Sequence, residues 1–309
     1  MIIICEKCQA RYRLAENTDT PPIFKARCSK CSHVFTVHRT DTAIQPLVLD
    51  ETSLLPEGHK IIAVCNQKGG VGKTSTAMNL GMSLALMKKR VLLVDFDMQA
   101  SLSIIFGLNN QAKSFYDLMH TPEIKFSDVI KKTKYPNLWL LPSNPNLTLL
   151  NKKNINEKDF EHILRNKLEI IKDEIDHIII DTPPSIELFT LNALMASDAV
   201  IIPTQCEFLS MHGVSHIEEA IKTVRKIKDK KINYRILVTM FSGENTAAKV
   251  IYKKIKDRYQ DRVLDTIIEF DVKMQEAQIM NAPVVEYDKN SPSARQYLSL
   301  ANEILGKTS

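Results

Sequence analysis

The chain has no apolar run near the ~18–20 residues a membrane-crossing helix needs, so no spanning segment is expected. The opening Met1-Ile2-Ile3-Ile4 meets Cys5, Glu6 and Lys7 at once, too short for the apolar core of a signal peptide. With no targeting feature, a bacterial or archaeal cytosol is the expected compartment. Thiols there are kept reduced, so paired cysteines point to metal rather than to disulfides. Aromatic residues are only 6% of the sequence, no repeat or low-complexity tract occurs, and charge of neither sign dominates. The net charge of +5 favours nucleic acid or anionic surfaces only weakly. What is present is 309 residues of which 44% are hydrophobic, enough for about two domains and a large core.

Four of the six cysteines fall within residues 1–38. Cys5-x-x-Cys8 and Cys28-x-x-Cys31 are separated by 19 residues, a spacing that suits two knuckles closing a tetrahedron of thiolates around Zn²⁺. Iron is the other ion such a tetrahedron accepts. So short a segment cannot bury an adequate core alone, and the metal is expected to supply its folding energy. The stretch CEKCQARYRL…FKARCSKCSHVFTV resembles the small zinc-ribbon fingers found at bacterial protein N-termini. His33 and His38 read as bystanders, since four cysteines complete the site. Residues 39–58, rich in Thr, Pro and acidic side chains without periodicity, read as a linker.

Residues 59–309 then alternate short β-branched runs with amphipathic stretches. The runs are 61–65, 91–95, 138–141, 177–181, 199–203 and 236–240; helices are expected at 74–88, 157–174, 186–196, 211–229 and 245–258. Strands without polar alternation, separated by helices, predict an α/β fold with a mostly parallel sheet covered on both faces. Ligands on such sheets sit at the carboxyl ends of the strands.

Each chemically suggestive motif falls at such an end. Ile61–Cys65 leads into Asn66-Gln67-Lys68-Gly69-Gly70-Val71-Gly72-Lys73-Thr74 and then a helical stretch, the context of a P-loop. The glycines permit turns that converge backbone N–H groups on phosphate at a helix N-terminus. Lys73 is expected to neutralise β- and γ-phosphates and the Thr74 hydroxyl to bind Mg²⁺. Asp95 ends the run 91–95 with Asp97 just beyond it, and Asp181 ends the run 177–181, where a Walker B carboxylate holds Mg²⁺.

The general P-loop pattern wants glycine where Gln67 stands. KGGVGKT, led by Lys68, resembles instead the deviant Walker A motif of the ParA/MinD superfamily. The likeness continues through AVIIPTQCEFLSMHGV, ILVTMFSGENTAAKVI and VKMQEAQIMNAPVVEYDKNSPSARQYLSLANEI. It implies a P-loop NTPase that binds ATP through Lys68, Gly69, Gly70, Val71, Gly72, Lys73, Thr74 and Ser75 and hydrolyses it slowly. It implies that Lys68 crosses to a partner's phosphates in a nucleotide-sandwich homodimer, and that Asp97 positions the attacking water. Met98 departs from the proline usual after that aspartate. Asp95 is read as supportive.

Membership of this kind further implies non-specific DNA binding, a ParB-like or other partner that stimulates hydrolysis, and a nucleoid-associated cytoplasmic location. The role would be to position or partition a chromosome or plasmid locus or a protein cargo. Two basic clusters are candidates for DNA: Lys222, Arg225, Lys226, Lys228, Lys230 and Lys231, and Lys249, Lys253, Lys254, Lys256 and Arg258. The alternative is a MinD-like membrane regulator of division-site or flagellar placement, which needs a terminal amphipathic helix. The ending Ile304-Leu305-Gly306-Lys307-Thr308-Ser309 gives no such helix, so a membrane is not the expected partner. An iron–sulfur scaffold ATPase would need cluster cysteines in this domain, where only Cys65 and Cys206 remain.

Overall fold

The computed structural model describes residues 2–4, 7–8, 11–13, 23–38, 61–108, 113–121, 123–147, 149, 162–171, 173–185, 188–207, 210–228 and 232–306. The chain divides into two compact units, Met1–Asp50 and Glu51–Ser309. The expected linker, residues 39–58, lies outside the described residues.

In the smaller unit β1 (Ile2–Ile4) pairs antiparallel with β2 (Arg11–Arg13), and β3 (Ile23–Arg27) with β4 (Val34–His38). The β3–β4 turn is closed by two backbone bonds of 2.8 Å, Ser32 N–H to the Cys28 carbonyl and Cys28 N–H to the His33 carbonyl. Ser32 takes the left-handed conformation this tight turn demands, at φ 57°.

The larger unit is built on an eight-stranded sheet of order β12-β11-β10-β5-β9-β6-β8-β7. Its strands are β5 (Ile61–Val64), β6 (Val91–Asp95), β7 (Lys131–Lys132), β8 (Leu138–Leu141), β9 (His177–Asp181), β10 (Ala199–Thr204), β11 (Asn233–Phe241) and β12 (Val263–Glu269). All neighbours run parallel except the two-residue edge strand β7. The central strands are buried on both faces, which is why their sequences are continuous apolar runs. The edge strand β12 instead exposes Asp265 and Glu269, and that broken pattern hid it from sequence reading.

The helices are α1 (Lys73–Leu86), α2 (Ser101–Ile105), α3 (Phe115–His120), α4 (Phe126–Val129), α5 (Ile163–Glu169), α6 (Leu188–Ala196), α7 (Ser210–Lys228), α8 (Thr246–Tyr259), α9 (Val272–Ile279), α10 (Val284–Tyr287) and α11 (Pro292–Ile304). Helices α1 and α11 pack together against the sheet, while α6 and α7 contact β5 and β10. Helix α11 starts cleanly: Ser291 accepts a bond from Ala294 N–H at 3.2 Å, and Pro292 occupies the first turn. Its apolar stripe, Tyr297, Leu300, Ala301 and Ile304, is fully buried, with Leu298 and Leu305 packed at the margin.

Leu300 lies at the centre of that contact. Leu300→Ala should lower the unfolding free energy by about 3 kcal/mol through lost burial and a residual cavity. The urea midpoint, followed by the fluorescence of the sole tryptophan, Trp139, checks this.

Candidate functional site

Strand β9 lies between β5 and β6, and its register sets Asp181 opposite Val64 on one side and Asp95 on the other. Three strand ends therefore deliver the phosphate-type loop and two carboxylates to one edge of the sheet. The loop 66–72 follows β5, and Gly70 and Gly72 take φ of 74° and 83°, conformations that side chains with a Cβ rarely adopt. Gly72 is also the N-cap of α1, so the loop delivers its N–H groups to a helix N-terminus.

Lys73 is buried and curls back across the loop, its Nζ donating to the Lys68 carbonyl at 3.0 Å. Burial lowers its pKa, opposed mainly by Asp181. Asp181 is fully buried, and neither carboxylate oxygen has a hydrogen bond of sound geometry among the described residues. Burial above all, then Asp95, holds its carboxyl well above the usual range, while the neighbouring Thr74 hydroxyl pulls the other way.

Asp95 is satisfied internally. Its Oδ2 accepts from the Ser103 N–H at 2.7 Å and hydroxyl at 2.6 Å, and its Oδ1 from the Asp97 N–H at 3.3 Å. It thus shapes the following loop. Asp97 is nearly buried and accepts from the Gln99 N–H at 2.9 Å. The turn closes with Ala100 N–H on the Asp97 carbonyl, and Met98 is accommodated without a proline. Phe96 anchors the segment edge-to-face between Phe115 and Phe189, both at 5.1 Å.

Lys68 stands apart from this group. It lies at the rim of the loop, and its Nζ pairs with the Glu207 carboxylate. Ser75 also faces elsewhere, its hydroxyl accepting from Gln278 Nε2 at 2.9 Å. Together with Gly72, Met240, Phe270 and Met274 it lines a cavity of about 150 Å³ beside the loop. Val71 is buried and its carbonyl accepts from the Thr239 hydroxyl at 3.0 Å. Gly69 and Gly70 remain open to solvent.

Sequence reading missed the cavity residues Phe270 and Met274 and the loop partners Gln205, Glu207 and His216. Exposure of Met240 and Phe270 at strand ends is a property of the fold that no periodicity reports. A larger cavity, about 860 Å³, lies at the opposite ends of the strands between α4 and α5 and shares no residue with this site.

In the smaller unit the Sγ atoms of Cys8, Cys28 and Cys31 lie within 4.8 Å of one another, with Cys8 and Cys28 3.5 Å apart. Cys5 lies outside the described residues. Clustered thiols suit a soft tetrahedral ion, and Zn²⁺ fits them. Cys65, by contrast, is fully buried with its thiol pushed up to about 12, and burial raises Cys206 to about 11, so neither is a ready thiolate.

The basic clusters differ in availability. On α7, Lys222 pairs with Glu219 at 2.8 Å, and half-buried Arg225 donates to the Ile232 carbonyl; Lys230 and Lys231 lie outside the described residues. On α8, Lys249, Lys253 and Lys254 are exposed, while Lys256 pairs with Asp265 at 3.2 Å and Arg258 donates to the Ser215 hydroxyl.

Comparison with known proteins agrees with this geometry. An AAA domain family matches residues 59–236, and a zinc-ribbon domain family matches residues 1–36. The sporulation initiation inhibitor protein Soj of Bacillus subtilis is 37% identical over 248 residues, covering 79% of this chain and 98% of Soj. The chromosome partitioning protein ParA of Myxococcus xanthus is 34% identical, covering 80% of this chain and 88% of ParA. Among solved structures, cobyrinic acid a,c-diamide synthase from Mycobacterium smegmatis with bound ATP analogue and magnesium superposes with a TM-score of 0.71. It shares 29% identity over 80% of this chain and 94% of its own.

Burial lifts the Asp95 carboxyl from 3.8 to about 6. Between roughly pH 4 and 6 the folded chain therefore holds a proton that the unfolded chain releases. The residue's contribution to stability falls as pH rises through that window. Asp95→Asn should gain on the wild type as pH is raised from 4 to 6, by at most about 3 kcal/mol. Melting temperatures of both proteins across that range test it; a constant difference would refute it.

For the thiol cluster, the purified chain should carry one zinc by elemental analysis. Cys28→Ser should lose it and open residues 1–50 to limited proteolysis, while the melting transition of the larger unit stays in place.

Proposed function

The chain belongs to the ParA/Soj family of P-loop ATPases, and on that premise we propose that it is an ATP-driven switch that pairs with a second copy of itself. The observation that carries this reading is the separation of two lysines in one loop. Lys73 is buried against the carboxylates, while Lys68 lies at the rim with a third of its side chain exposed. A cation at the rim is poorly aimed at its own protomer's phosphates and well placed for those of a second copy.

In this reading the N–H groups of Gly69 to Gly72 cradle the phosphates, and Lys73 exchanges the Lys68 carbonyl for phosphate oxygen. The cavity beside Gly72 and Ser75, with Met240 and Phe270 as apolar walls, takes the base. The unsatisfied oxygens of Asp181 and the adjacent Thr74 hydroxyl suit a divalent cation. Asp181 and Thr74 would hold Mg²⁺, which when bound would supply positive charge against that of the phosphates. Asp97, anchored by Gln99 N–H, orients the attacking water and so sets the hydrolysis rate.

A cation lent by a second subunit makes turnover depend on dimerisation, as an arginine finger does. The paired form binds DNA without sequence preference, and exposed Lys249, Lys253 and Lys254 on α8 favour that helix over α7 as the contact. A ParB-like partner stimulates hydrolysis and release, giving a cycle that positions a DNA locus or protein cargo on the nucleoid. The zinc-holding unit adds an arm for docking that partner or the DNA.

Sedimentation velocity with a non-hydrolysable ATP analogue, alongside DNA retention on a filter, tests the reading. The wild type should form a dimer that retains DNA, and Lys68→Gln should lose both. Lys249→Glu/Lys253→Glu should keep the dimer but lose DNA at least tenfold, with a shallower salt dependence. A wild type that stays monomeric with saturating analogue would sink the proposal.

A further inference from the structure

The end of β10, the start of α7, and Gln205 and Glu207 between them grip the leading half of the phosphate loop at several points. Asn66 Nδ2 donates to the Pro203 carbonyl at 2.7 Å, and Asn66 Oδ1 accepts from the Lys68 N–H at 3.0 Å. Gln67 Oε1 meets His216 Nδ1, and Gln205 Nε2 donates to the Gly70 carbonyl at 3.2 Å. Lys68 Nζ is bound by the carboxylate of Glu207. The approach is so close that a Cβ at Gly213 would lie 2.7 Å from Asn66 Oδ1, which explains a glycine inside the first turns of α7.

We infer that Glu207 is a catch: it is the positioning residue that keeps Lys68 in its own protomer until the phosphates of a second copy compete for it. The inference rests on the reading that Lys68 acts across a dimer. Charge and exposure suit the task. Glu207 offers one carboxylate, whereas a nucleoside triphosphate offers several negative oxygens, so the lysine has a better destination once a second copy arrives. The pair is solvent-exposed, 33% for Lys68 and 57% for Glu207, so it is worth only a small factor in an equilibrium and opens readily. A buried pair would lock the lysine instead.

The other contacts give the catch its direction. Asn66 and Gln67 fix the backbone that precedes Lys68, leaving its side chain as the part free to swing. A symmetric dimer must release two catches, so whatever one pair contributes enters twice. If each pair holds by about two- to threefold, neutralising Glu207 tightens the dimer by about four- to ninefold. The effect is electrostatic between exposed groups and so shrinks as salt rises.

The experiment measures the dimer dissociation constant by sedimentation with a saturating non-hydrolysable ATP analogue, at low and high salt. It uses the full chain as wild type, Glu207→Gln, Lys68→Gln and the double variant. Expected are a dimer about four- to ninefold tighter for Glu207→Gln at low salt, an advantage that narrows at high salt, and a double variant as monomeric as Lys68→Gln. A Glu207→Gln dimer no tighter than wild type, or an advantage equal at both salts, overturns the catch while a monomeric Lys68→Gln leaves the trans lysine intact. If Lys68→Gln dimerises normally, the underlying reading fails and the catch with it. Because the Glu207 side chain is largely exposed, folding of the variant is not at stake, and an unchanged melting temperature verifies this.

Discussion

A carboxylate buried between two parallel strands, with neither oxygen properly hydrogen-bonded among the described residues, is the constraint around which the larger unit is arranged. Leaving Asp181 ionised there would cost several kcal/mol without a compensating charge. The folded chain offers Lys73 and the Thr74 hydroxyl for that purpose. Both come from the first turn of α1, and that helix can begin beside Asp181 only because β5 and β9 are neighbours running the same way. A parallel sheet collects all its carboxyl ends on one edge. The topology and the chemistry are thus one requirement seen twice.

The same logic explains why the loop's lysine turns to a protein partner that a phosphate can replace. The Lys73 ammonium rests on the Lys68 carbonyl, an acceptor whose place a phosphate oxygen can take. That bond is worth about 2 kcal/mol, so a charged ligand making a shorter, charge-assisted bond can displace it. The positive-φ glycines permit this exchange because their backbone can turn without steric strain.

Much of this was legible in the chain. The runs 61–65, 91–95 and 177–181 announced buried parallel strands because their burial on both faces removes polar alternation. The glycine loop and the CxxC knuckles were legible because their chemistry is local. What could not be read depends on which distant segments meet. Glu207 is 139 residues from Lys68 and carries no local sign that it faces the loop. Arg225 counts as a surface cation in sequence, yet it is half-buried and donates to the Ile232 carbonyl. Strand β12 was hidden because an edge strand exposes the charges that a buried strand forbids.

The two units solve the problem of stability by different means. The larger one buries a continuous aliphatic core in which α1 and α11 share Leu80, Leu84, Tyr297 and Leu300, and needs no ligand to hold that contact. The smaller one has two short hairpin-like ladders and a knuckle of thiols, with too little chain to bury comparable area. Thiolates so close together repel one another unless a cation sits among them, so the energy that opposes folding without metal becomes the energy that drives folding with it. For that reason the clustered thiols of Cys8, Cys28 and Cys31 depend on one another: removing one would take away a ligand and leave the remaining charges less well neutralised.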